Sequence, residues 1–339
     1  MNSPTHNAKL PLEAKCVDAI DEMIARVGAL HSSPDVAQSL LRLTKTPDYD
    51  VQAVVACLEK DPVMCAKVLR LVNSSRYAIR REIKNLQQAV TFLGQKTLRL
   101  VSMTFSLVDT LTRGAPRELF NDYWQRSITT ATVSARLAKL SKDCDAGDAY
   151  AAGLLADLGV LLFAQAVSKD YCSIYHKAKT EGTSLVETEQ AQFGFDHAML
   201  GAKLLSDWGF PDDLIDAVLS HHDGSCANSA IAAAAHGGSL MTDVIWNLPS
   251  ASVVDVMRWL DEHFGVNIDE FIDLALNTRD EIQTEAEIFG VSLHNDVDVQ
   301  GLRSAVTEQF KDAAGTTERD LDELVAKFDV QNGKASPNS

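Results

Sequence analysis

Four side chains suited to holding a divalent ion, Asp157, His197, His221 and His222, fall within a short span of this 339-residue chain. They occupy three stretches: GLLADLGVLLF from Gly153, FGFDHAMLGAKLLSDWGFP from Phe193, and AVLSHHD from Ala217. Imidazole and carboxylate are donors that Zn²⁺, Mn²⁺ and Fe²⁺ accept. An ion held with one position open lowers the pKa of its water enough for attack on a phosphate ester. Three donors suffice in number: Asp157, His197 and one of His221 or His222. A structural explanation competes. Asp157 could cap a turn, His197 could be a satisfied core histidine behind the Asp196 cap, and His221–His222 could sit at a helix C-terminus, where the dipole favours imidazolium.

The elements that must position these groups read as helices throughout. Asp50 and Asp61–Pro62 are start signals, and Asn85 caps a short apolar stripe stopped by Gly94. A long helix is expected over Glu118–Leu140, then one over Asp148–Gln165. Further helices follow over Ser168–Thr180, from Ser184 to Phe193, from Asp196 to Trp208, and from Pro211 to His221–His222. An alanine-rich helix from Ser229 to His236 should close at Gly237–Gly238. Leu321, Leu324, Val325 and Phe328 form a last stripe, and no segment makes a convincing strand. The donors thus lie on three helices, and only the fold can gather them.

Composition supports a globular chain with a sizeable core: 46% hydrophobic and 23% charged residues. The net charge of −16 argues against duplex nucleic acid and anionic membrane as partners. No run approaches the roughly 18 apolar residues of a membrane helix, and Met1–Leu12 has no apolar core for a signal peptide. Six cysteines without a CxxC spacing read as reduced, buried thiols of a cytoplasmic protein. There is no GxSxG, GxGxxG or phosphate-loop motif in a strand–helix setting.

The charge is uneven. Residues 251–339 carry 19 acidic against 7 basic residues, whereas 62–99 carry eight basic residues and the single acidic Glu82. Within the basic strip, Arg70, Arg76, Tyr77, Arg80, Arg81 and Lys84 cluster around a helix end and loop. Guanidinium groups beside an aromatic ring could hold a phosphate, a nucleotide or an acidic protein segment, or form a solvated face.

Taken together, DPVMCAKVLRLVNSSRY from Asp61, NLQQAVTFLG from Asn85, WQRS from Trp124, GLLADLG from Gly153, the Phe193–Pro211 stretch and SHH from Ser220 resemble the HDOD family of bacterial signalling proteins. These are relatives of the HD metal phosphohydrolases that usually lack the full ligand set. The resemblance covers about Val27–Asp223. It implies an all-α, HD-like multi-helix bundle with a front helical subdomain over 27–115 and an HD-like half over 116–223. Residues 1–26 would be a lead-in, 224–331 a helical extension packed on the domain, and 332–339 a loose tail.

Carried over by position, the ligand set is incomplete. Ser127 stands where an early histidine is expected, and Ala156 where a histidine should precede Asp157. His197, His221 and His222 match places where some HD phosphodiesterases keep ligands. The final acidic residue has no counterpart on the 229–240 helix, Asp243 lying further on. The implied function is a non-catalytic, cytoplasmic signal-transduction module that contacts signalling proteins, with a degenerate metal site and no cofactor. The alternative is a divergent phosphohydrolase using Mn, Fe, Zn or Mg on a phosphate ester or a (cyclic di)nucleotide. A third reading is a nucleotide-sensing domain that binds through Arg76–Lys84.

Overall fold

The structure, a computed structural model, describes residues 14–30, 50–73, 82–112, 117–141, 143–225, 229–246, 253–276 and 278–289, with Ser39, Leu43, Val291 and Leu293 as single positions. The described residues form fifteen helices and no strand, so the expectation of an all-α fold is met. In chain order these are α1 Ala14–Leu30, α2 Val51–Leu58, α3 Pro62–Val72, α4 Leu86–Thr112 and α5 Arg117–Leu140. Then come α6 Ala146–Leu155, α7 Leu158–Ala166, α8 Ser168–Glu181, α9 Leu185–Phe193, α10 His197–Asp207 and α11 Asp212–Leu219. The last four are α12 Ala230–Trp246, α13 Val253–Phe264, α14 Ile268–Leu276 and α15 Thr278–Phe289. The stripe at Leu321–Phe328 and the two chain ends lie outside the described residues.

Local chemistry sets many of these boundaries. Asp50 Oδ1 accepts from the Gln52 amide at 2.8 Å, and Asp61 Oδ1 from the Met64 amide at 3.0 Å, each meeting an otherwise unsatisfied donor at a helix start. Asn85 and Gln88 cap reciprocally: the Gln88 amide donates to Asn85, and Gln88 Oε1 accepts from the Lys84 amide. Gly94, at φ 77° and ψ 164°, breaks the helical path inside α4, where only glycine adopts such angles without strain.

Two helices differ from expectation. The stretch Asp148–Gln165 is not one helix; it breaks at Ala156–Asp157 into α6 and α7, which puts Asp157 at the head of α7. The alanine-rich helix does not stop at Gly237–Gly238 but continues to Trp246. The glycines are there for close approach. A Cβ on Gly237 would lie 2.7 Å from Leu137 Cδ1, and one on Gly238 would lie 2.2 Å from Ser134 Oγ. With Thr130 and Thr242 hydroxyls paired at 2.8 Å and Trp246 Nε1 donating to Thr129 Oγ1 at 2.9 Å, α12 runs antiparallel along α5 with little between the backbones. That extra length of α12 carries Asp243 toward the site.

α5 is the central helix, packed against α6, α12 and α15. One apolar cluster joins α1–α4 to the middle of the chain through residues such as Leu71, Phe105, Ile128, Leu161 and Val218. A second lies between α5, α12, α13 and α14 around Leu137, Val244, Leu260 and Phe271. α15 returns to the first cluster, where Phe289 meets Phe105 edge-on at 5.1 Å and Trp124 at 4.4 Å. Ala146–Ala166, spanning α6 and α7, is long and apolar enough to cross a membrane, contrary to the expectation from the sequence. It is 89% buried inside the protein and interrupted by Asp157. Of the five described cysteines only Cys57 is buried; Cys16, Cys65, Cys144 and Cys172 are half-buried.

Candidate functional site

The α6–α7 break, the Asp196 cap at the start of α10 and the end of α11 bring Asp157, His197, His221 and His222 together. Asp157 is at the α6–α7 junction, His197 is the first residue of α10, and the histidine pair follows the last turn of α11. One potential donor atom from each of the four lies within 4.8 Å of the others. Gly159 permits the approach of α7 to α10: a Cβ there would stand 2.0 Å from the His197 carbonyl oxygen.

Asp157 makes no capping hydrogen bond to α7, so the capping explanation of this residue does not hold. Its carboxylate is shared between two sides. Oδ1 lies 3.4 Å from Nε2 of both His197 and His221, and Oδ2 lies 3.4 Å from Nε of Arg126. Burial alone would raise its pKa. The Arg126 guanidinium and the imidazoles of His197 and His221 outweigh burial and hold the group well below the usual carboxylate range.

His197 is fixed from behind. Its Nδ1 is 2.6 Å from Glu189 Oε2, which also accepts the His197 amide at 2.8 Å. Glu189, on α9 and fully buried, takes the Tyr171 hydroxyl on its other oxygen. Burial disfavours imidazolium, but the Glu189 and Asp157 charges override it and push His197 up to about 10. His221 Nδ1 is held by the Val218 carbonyl at 2.7 Å, and its buried Nε2 makes no hydrogen bond of good geometry. His222 packs its ring 3.8 Å from that of His221 and places Nε2 2.7 Å from His197 Nε2. Burial and these two neighbours push His222 below the ordinary histidine value, so the helix-terminus dipole does not make it an imidazolium.

This donor set fits one divalent ion at Asp157, His197 and His221. Donors about 2.1 Å from a tetrahedral centre stand about 3.4 Å apart, the separation of Asp157 Oδ1 from each of the two imidazole nitrogens. The outer nitrogens of both histidines are engaged by a carboxylate and a backbone carbonyl, the usual way a ligand imidazole is oriented. His222 Nε2 stands too close to His197 Nε2 for both to bind one ion as placed, and hydrogen-bonds to it instead.

Three contributors were not singled out in the sequence as site residues. Arg126, next to the departed position Ser127, reaches Asp157 through Nε and Asp243 through Nη1 at 2.7 Å. Asp243 belongs to α12 itself, so the helix, longer than its 229–240 expectation, does carry an acidic residue. Glu189 is the third; a buried glutamate on a helix of mixed polarity carries no periodic signature. Ser127 and Ala156 are wholly buried and supply no imidazole.

The second candidate region is described only in part. Arg70 and Lys84 are exposed, while Arg76, Tyr77, Arg80 and Arg81 lie outside the described residues. Asn73 latches the end of α3 to the following segment, donating to the Leu69 and Ile83 carbonyls and accepting from the Ile83 amide.

A helical bundle that gathers one aspartate and three histidines from three helix junctions defines a domain of the HD-related class. Within that class the chain belongs to the HDOD family, whose domain profile matches residues 30–224. An uncharacterized protein of Treponema pallidum is 25% identical over 217 residues, covering 62% of this chain but 40% of that protein, so the chain spans well under half of that relative's length. An HDOD domain protein of unknown function from Geobacter sulfurreducens superposes with a TM-score of 0.59 at 22% identity, covering 93% of this chain and 97% of the other. A Marinobacter aquaeolei protein provisionally named a signal transduction protein gives 0.60 at 22% identity, covering 85% and 69%. At these identities the likeness is one of fold.

Proposed function

We propose that the chain is a non-catalytic, cytoplasmic signal-transduction module that works through protein contacts, its HD-type site reduced to an internal charge cluster. The domain would span 27–223, with 224–331 as a helical layer upon it. The observation that carries this reading is Arg126. Its guanidinium joins Asp157 to Asp243, and a fixed cation there has no open coordination position from which to activate water. The donors Asp157, His197 and His221 are 5%, 1% and 1% exposed, leaving little surface for a phosphate ester to reach. The name of the Marinobacter protein is consistent with signalling. Exposed Arg70 and Lys84 mark the described edge of a basic strip suited to an acidic partner segment.

A second reading, a divergent metal-dependent phosphohydrolase, is favoured by the 3.4 Å separation of Asp157 Oδ1 from both His197 Nε2 and His221 Nε2 and by the absence of a hydrogen bond on His221 Nε2. A divalent ion there would supply an acidified water or a Lewis acid toward phosphate. The chain's part would be to orient the imidazoles through Glu189 and the Val218 carbonyl.

Hydrolysis separates the two readings. Wild-type chain and Asp157→Asn are assayed with Mn²⁺, Fe²⁺ or Zn²⁺ on phosphomonoesters, phosphodiesters and cyclic dinucleotides. Equal background rates are expected. Turnover by the wild type that a folded Asp157→Asn protein loses would replace the module with the hydrolase.

A further inference from the structure

We propose that the Arg126 guanidinium is this site's own second cation, held between Asp157 and Asp243 in the place of a metal ion. The inference rests on the site being a degenerate HD-type centre and says what became of its missing half.

Paired hydrolytic centres place two cations about 3.5–4 Å apart, close enough for one carboxylate to face both. Asp157 is disposed in that way. Its Oδ1 faces the two imidazole nitrogens at 3.4 Å, and its Oδ2 faces Arg126 Nε at 3.4 Å. Beyond the guanidinium, Asp243 Oδ1 completes the second position at 2.7 Å from Nη1. One side of the cluster therefore has nitrogen donors and no fixed cation of its own beyond the titratable imidazoles. The other has two carboxylates and a cation that cannot be lost.

The arrangement is built into the packing. Thr130 and Ser134 on α5 and Gly238 and Thr242 on α12 let the helices close up, and Trp246 Nε1 pins the last turn of α12 to Thr129. Asp243 is thereby carried to the α5 face from which Arg126 extends. Arginine suits the position because its charge is permanent and its planar fork can serve two carboxylates at once. With the chain's own cation on Asp157 Oδ2, a metal ion has only the Oδ1 side to occupy.

Ion counting tests the inference. Chain stripped with EDTA is equilibrated with Mn²⁺, desalted and measured by elemental analysis, with circular dichroism as the check on folding. Arg126→Ala is expected to hold one equivalent more than the wild type. Arg126→Ala/Asp243→Asn should return to the wild-type count, and Arg126→Lys, which keeps the charge, should match the wild type. A folded Arg126→Ala protein with the wild-type count, or an extra ion in Arg126→Lys, overturns it. Should the alanine variant fold only with an ion, thermal melting in Mn²⁺ against EDTA reads the same property. A metal-dependent rise larger than that of the wild type supports the inference, and an equal rise overturns it. Turnover by the wild type would sink the non-catalytic reading without changing the ion count. An unchanged ion count would sink this inference and leave that reading standing.

Discussion

The Nε2 atoms of His197 and His222 lie 2.7 Å apart, so one carries a proton and the other accepts it. The surroundings assign the roles. His197, between Glu189 and Asp157, is pushed up to about 10, while burial and the neighbouring imidazoles push His222 down. His197 is therefore the imidazolium, donating Nδ1–H to Glu189 and Nε2–H to His222. Around it, Asp157, Glu189 and Asp243 face the His197 imidazolium and the Arg126 guanidinium.

This balance has a direction in pH. The folded pKa of His197, about 10, exceeds its ordinary value of 6.5, so the native state binds the extra proton between those values and stability falls as pH rises through the window. The contribution is fully present below 6.5 and lost as pH passes about 10. Melting in EDTA from pH 6.5 to 10 should show a decline in the wild type that is shallower in His197→Gln. Parallel slopes would mean that His197 is neutral in the folded chain.

Much of this fold is written in short-range chemistry. The aspartate and asparagine caps, Gly94 and the apolar stripes place most helices to within a few residues, and the helix-end positions of His197 and His221 follow from them. Two boundaries escape that chemistry. Gly237–Gly238 looks like a helix stop, yet it is a contact surface for α5, and only the neighbouring helix distinguishes these roles. The α6–α7 break has neither glycine nor proline at Ala156–Asp157 to announce it. Arg126 and Glu189 were illegible because their partners lie 117 and 8 residues away on other helices, and charge type alone does not reveal pairing.

Gly159 is the tightest point between the helices that carry Asp157 and His197. A methyl group there would overlap the His197 carbonyl at 2.0 Å, and backbone cannot rotate away as a side chain can. Gly201 repeats the close approach from the α10 side, where a Cβ would meet the Gly159 nitrogen at 3.3 Å. Gly159→Ala should therefore destabilise the chain by about 1–3 kcal/mol, the range for an overfilled core, and widen the Asp157–His197 separation. Urea unfolding gives the first quantity and His197 ring chemical shifts report the second. Wild-type stability would mean that α7 and α10 slide apart without cost.

The hold of α15 on the central bundle rests partly on one buried polar contact. Tyr150 on α6 donates its hydroxyl to Glu285 Oε2 at 2.8 Å, with the two residues 1% and 2% exposed. Tyr150→Phe keeps the ring and its packing but withdraws a donor from a buried carboxyl group, which costs about 1–3 kcal/mol when water cannot replace it. The loss should concentrate in α15, because Phe289 at its far end depends on the same docking to reach Phe105 and Trp124. Hydrogen exchange should accordingly rise across Thr278–Phe289 more than across α10, alongside a lower urea midpoint. Uniform exchange with an unchanged midpoint would show that Glu285 is satisfied without Tyr150 and that apolar contact alone secures the helix.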